Sequence, residues 1–267
     1  MVSDYLNRVR SLEELYALMD DDRIAAAKLA EAAFQCDLNT AVTSITEISA
    51  VATAKVLADT QVASAKMLID AEVAATRIAA GAKMALSECE RRLRDPGPET
   101  SSEAIIATIL DIERHHQELV SSGAKQSVEA IERDAAAAIA RQEIGAAAID
   151  NIRDLAGEIE AAVERNAQAA AEKLATYRQH PHTCEEAAAE GDVAAKIVAA
   201  AAEAAAMSLR RAAEAALGQI HAVTCDAGRT ILASAKAAES RIETARDKAL
   251  AQIHQAVISS LPGRPGG

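Results

Sequence analysis

The chain has 267 residues, a formal net charge of -12 and a pI near 5.0. Apolar residues make up 50%, but 67 of the residues are alanine and aromatics are 1%, which argues against one thick globular core. Nucleic acid and anionic membrane surfaces are held by clustered Lys and Arg, so neither suits so acidic a chain.

The first segment, 1–19, is unlike the rest. Tyr5, Val9, Leu12, Tyr16 and Met19 are spaced 4-3-4-3, a heptad row of bulkier side chains. It reads either as a docking head for another protein or as the first turns of the helix that follows. Asp20, Asp21 and Asp22 separate it from an alanine-rich helix expected over 20–94. Arg91, Arg92 and Arg94 close that helix, where positive charge suits the C-terminal end of the dipole.

All five prolines fall in three places: Pro96 and Pro98, Pro181, and Pro262 with Pro265. Proline removes a helix donor and clashes with the preceding turn, so these are the expected stops. The reading is then a loop at 95–101, a second helix over 102–179, a turn at 180–183, a third helix over 184–260 and a flexible tail at 261–267. Ser11 with Glu14 and Thr183 with Glu186 fit capping boxes, and Glu103 follows Ser101 and Ser102 at the second start. Bends rather than breaks are expected at Ser121-Ser122-Gly123 and Gly191-Asp192. Three stretches of similar length joined by short loops predict an all-α, up-down-up three-helix antiparallel bundle. Segments extended against other chains are the alternative.

The helices repeat every eleven residues. In the first, Phe34, Ile45, Val56, Met67, Ile78 and Cys89 share that spacing, and alanines follow most of them seven residues later. A parallel row, Val51, Val62, Val73 and Met84, keeps the same period. In the third, Val198, Leu209, Ile220, Ile231, Ile242 and Ile253 form the series. Eleven residues over three turns is about 3.67 per turn, which predicts right-handed or nearly straight packing. One bulky residue per repeat among alanines lets backbones approach closely, and Phe34, Ile45, Val56, Met67 and Ile78 with Val198, Leu209, Ile220, Ile231, Ile242 and Ile253 are the candidate self-association seam. The middle helix is less regular: Ile109, Val120 and Ile131 share one register, and Ile152, Val163 and Leu174 another. A phase shift is expected between Asp134 and Ile144, with Gly145 allowing a close crossing.

These repeats resemble those of alanine-rich hendecad coiled-coil proteins, a broad class that includes bacterial filament and stalk components. The resemblance covers most of the chain as period and composition, and implies long helices that pack closely. No functional residue is carried over from it.

Chemistry is sparse. Glu113 and His116 have the Glu-x-x-His spacing of di-iron bundles, but the other histidines lack such a glutamate, so a solvated polar face accounts for the pair. His180, His182 and Cys184 lie close enough for zinc, against the plainer reading of a polar turn with a capping threonine. No nucleophile arrangement or phosphate loop is present in the sequence, so no catalytic, cofactor or metal site is expected and the chain is not read as an enzyme.

Cys36, Cys89, Cys184 and Cys225 show no CxxC spacing, and MVSDYLNRVR does not read as a signal peptide. Reduced thiols in the cytoplasm are the expectation. The longest uncharged run, Ala249 to Gly263, falls short of the ~18–20 apolar residues of a spanning helix. The expected role is a structural or scaffolding protein whose helical rod associates with copies of itself, filaments being one form of assembly. The alternatives are an amphipathic coat on lipid or granule surfaces, or a stalk that docks larger partners.

Overall fold

The computed structural model describes residues 23–95, 101–141, 143–176 and 185–260, all helical apart from residues at the helix ends. Four helices follow in order: α1 (Arg23–Arg94), α2 (Ser102–Ala140), α3 (Glu143–Thr176) and α4 (Glu185–Ser260). The chain is all-α, with long helices packed as a three-helix bundle. It divides into two compact units, one built from 1–55 with 143–224 and one from 56–142 with 225–267. Each unit therefore holds a piece of α1, a piece of α4 and one of the two middle helices.

The helix ends follow from the local sequence. α1 stops with Arg91, Arg92 and Arg94 in its last turn, just before Asp95, whose following proline disfavours helical backbone. α2 begins at Ser101, extended at φ -69° and ψ 156°, whose hydroxyl accepts from the Ala104 N–H at 3.2 Å. That satisfies one of the donors a helix start leaves unpaired. The segments around 121–123 and 191–192 run straight through as helix. Ser11, Pro96, Pro98, Thr183 and the tail lie outside the described residues.

The middle stretch is two helices, not the single one expected over 102–179. Two eleven-residue steps from Ile131 reach Arg153, which is exposed, whereas the buried residue is Ile152. An uninterrupted helix would carry its apolar row one residue out of phase. The interruption after Ala140 lets α2 and α3 each turn their own row inward.

In the first unit, Phe34, Leu38 and Ile45 of α1 meet Ile152 and Val163 of α3 and Val198, Leu209 and Ile220 of α4, with buried alanines between them. Ser49 of α1 donates to the Ala216 carbonyl and to Gln219 Oε1, both at 3.4 Å. Arg210 of α4 pairs with Glu160 of α3. Gly145 is buried at the α3–α4 contact, where an added Cβ would lie 2.9 Å from Thr224 Oγ1 and 3.6 Å from Ile220 Cγ2. The close crossing expected at this glycine is thus present. Gly145→Ala should gain about 1 kcal/mol of helix propensity but lose about 1–3 kcal/mol to overpacking, a net loss in chemical denaturation. Gly123→Ala, with nothing within 4 Å of the new methyl, should stabilise by roughly 0.5–1 kcal/mol.

In the second unit, Met67 and Ile78 of α1, Val120 and Ile131 of α2 and Ile231, Ile242 and Ile253 of α4 form the core. The pairings give the topology. Lys66 meets Asp134, Gly81 lies against Val120 and Glu88 meets His116, so α1 and α2 run antiparallel. Glu113 of α2 meets His254 of α4.

Two buried threonines of α1 bond to their own helix. Thr53 and Thr60 donate to the Ser49 and Val56 carbonyls one turn back, at 2.9 and 2.7 Å. A hydroxyl satisfied this way can sit in a narrow alanine-rich core without a cross-helix partner.

Candidate interaction surface and the buried polar cluster

The eleven residues of the candidate seam all face inward. Phe34, Ile45, Val56, Met67, Ile78, Val198, Leu209, Ile220, Ile231, Ile242 and Ile253 are each no more than 5% exposed. They are buried by the chain's own helices, so this seam closes within one chain and presents no surface to another. The inward row repeats at +4 and +7 as well: Ala71 and Ala82 at one step, Ala74 and Ala85 at the other, all buried.

The parallel row faces outward. Val51 in the first unit is 69% exposed; in the second, Val62 is 70%, Val73 43% and Met84 66% exposed, with Ile69 beside them at 62%. Each of Val62, Val73 and Met84 lies six residues after a seam residue, roughly two-thirds of a turn round a helix of about 3.67 residues per turn. Ile69 lies two residues after Met67, on the same outer side. Ala58, Ala65, Thr76, Ala80 and Ser87 are exposed between them. The outer face of α1 from 58 to 87 is therefore uncharged at nine successive positions spaced 4-3-4-4-3-4-4-3. Those are the inward row's own steps, displaced by two residues.

Among the described residues the other helices lack such a face. The corresponding outward positions of α2 include Asp111, His115, Glu118, Glu129 and Arg133, those of α3 include Asp150, Asp154, Glu158 and Arg165, and those of α4 include Arg211, Asp226, Arg229 and Lys248, all exposed. Tyr5, Val9, Leu12, Tyr16 and Met19 lie outside the described residues.

Glu113 and His116 do not occupy a solvated face, contrary to the sequence reading. His116 is buried and its Nε2 lies 3.3 Å from Glu88 Oε2. The Glu113 side chain is only 13% exposed, and its Oε1 accepts from His254 Nδ1 and Gln117 Nε2, each at 2.9 Å. The reason is register: Glu113 and His116 stand four and seven residues after the buried Ile109, which are inward positions of the repeat. Burying these groups is tolerable because each has a hydrogen-bonding partner. Among the described residues no group of three or more His, Cys, Asp or Glu could hold a metal ion. His180, His182 and Cys184 lie outside the described residues.

Cys89 is buried beside this cluster, among Ile109, Ile112 and Val257. Burial pushes its thiol up, and the Glu88 and Glu113 carboxylates push it further. A raised thiol contributes stability that is complete below the unfolded value, about 8.5, and is lost as pH rises through the folded one. Wild type should therefore lose stability from about pH 8.5 upward relative to Cys89→Ala, read as the difference between their urea midpoints. Cys89 should also alkylate more slowly at neutral pH than the exposed Cys36 and Cys225.

By length and composition, one described helix, Ala27–Arg94, is apolar enough to cross a membrane. The longest uncharged run lies elsewhere, at 249–263, because the apolar stretch of α1 includes charged residues. A third of that stretch is buried inside the protein.

No protein-family model matches the chain, and no curated protein does. Among solved structures the chain is similar to one described as a computationally designed three helix bundle. The two are 11% identical, the match covers 98% of this chain and 100% of that one, and the TM-score is 0.50. At that identity the likeness shows the fold and nothing of function.

Proposed function

We propose that the protein is a non-catalytic structural or scaffolding component, akin to the hendecad coiled-coil proteins it resembles, whose helical bundle associates with copies of itself in the cytoplasm. One observation carries this reading: α1 keeps an uncharged apolar row on its outer face after its inner row has been used within the chain. Surface apolar side chains scattered singly are ordinary, but a contiguous periodic row marks an interaction site. Static light scattering tests it. Masses above the 27.9 kDa of one chain, rising with concentration, are expected; 27.9 kDa at every concentration contradicts it.

The apolar window of α1 favours a second reading, an amphipathic coat on lipid. Against it, the outer row of α1 carries no tryptophan or phenylalanine and no continuous lysine stripe. Co-flotation with anionic liposomes separates the two, since a self-associating bundle that does not bind lipid stays at the bottom of the density gradient.

A further inference from the structure

We infer that the outer face of α1 between Ala58 and Ser87 docks on the same face of α1 in a second copy of the chain, parallel and in register. This rests on the self-association reading and names the surface that performs it. The period selects the kind of occupant. A helix of 3.5-residue period would drift off a row spaced at eleven within a few turns, so the partner must carry the eleven-residue repeat. Among the described helices the outward positions of α2, α3 and α4 carry charges, which leaves α1 itself.

Charge then selects the orientation. One flank of the outer row holds Lys66, Arg77 and Glu88; the other holds Gln61, Glu72 and Lys83. In parallel, in-register pairing the first flank of one copy lies along the second flank of the other. Lys66 and Arg77 then approach Glu72 of the second copy, and Glu88 approaches its Lys83, with Arg77 and Lys83 the one like-charged approach. Antiparallel pairing that overlaps 58–87 of one copy with 58–87 of the other sets Lys66 beside Arg77 and Glu72 beside Glu72, and like charges across an interface suppress that arrangement. Lys66 and Glu72 already bridge to Asp134 and Arg241 within the chain, but both pairs are solvent-exposed and open to further partners. A face that meets its own copy in this way forms an isologous contact.

Sedimentation equilibrium of the full chain tests the surface. Ile69→Glu with Val73→Glu should weaken association at least 100-fold while the helical circular dichroism stays at the wild-type level, because neither side chain touches the core. Wild type that assembles together with a double variant that assembles equally well overturns the α1 face but leaves the self-association reading standing. A wild type that is monomeric throughout overturns both. Orientation is read from Val62→Cys and Met84→Cys, each made singly in a chain whose four native cysteines are alanine. Parallel, in-register pairing predicts that each variant oxidises to a covalent dimer with itself. Covalent dimers that form only when the two variants are mixed overturn the parallel arrangement.

Discussion

Ile242→Ala is expected to destabilise the second unit by about 2–5 kcal/mol, whereas Ile69→Ala should change it by no more than roughly 0.5 kcal/mol. Both remove the same atoms from a long helix of the same bundle. Ile242 is 0% exposed, in a core with Met67, Ile78, Val120 and Ile131, and its removal leaves a void that neighbouring helix backbones cannot easily close. Ile69 is 62% exposed and loses mostly water contacts. Alanine is moreover the better helix former, which offsets part of any loss. Urea denaturation followed by circular dichroism, at a concentration where the chain is monomeric, separates the two. Equal effects would mean that both rows are buried to the same degree.

The second large effect concerns the alanines. Ala71→Leu and Ala238→Leu should each cost about 1–3 kcal/mol, although leucine is both a good helix former and more apolar. Both alanines are 0% exposed, so extra methylenes have no room except by forcing helices apart. Ala79→Leu, exposed and off both apolar rows of α1, should be close to neutral. If the inward leucines stabilised instead, the core would be underpacked and alanine would not be setting the helix spacing. The same spacing explains why aromatics are 1% of the residues: rings need more room between backbones than this core offers.

Much of this architecture is legible in the sequence. Prolines mark the ends, arginines close α1, and the spacing of Phe34, Ile45, Val56, Met67 and Ile78 marks out a repeating apolar row. The middle stretch announces its own interruption, because Ile131 and Ile152 do not fall in one eleven-residue series. Period alone could not say which of two rows on α1 faces inward. Val62 and Val73 repeat as faithfully as Val56 and Met67, and only the partner helices choose between them. The polar cluster was misjudged for a different reason. Glu113 and His116 look like surface residues by composition, yet they occupy the +4 and +7 positions of the Ile109 register. Their register places them inside, with Glu88 and His254 as their hydrogen-bond partners. The candidate surface was thus present in the sequence as a period, and its exposure became visible only once three helices had been packed.

The central claim is that the eleven-residue seam is satisfied within each chain and that any association between chains uses a different face of α1. Circular dichroism and sedimentation, measured together on one dilution series, test it most directly. A seam closed within the chain predicts that helicity stays constant as the mass falls to 27.9 kDa. Helicity that falls in step with dissociation would show that the inward row is completed by other chains, and would contradict it.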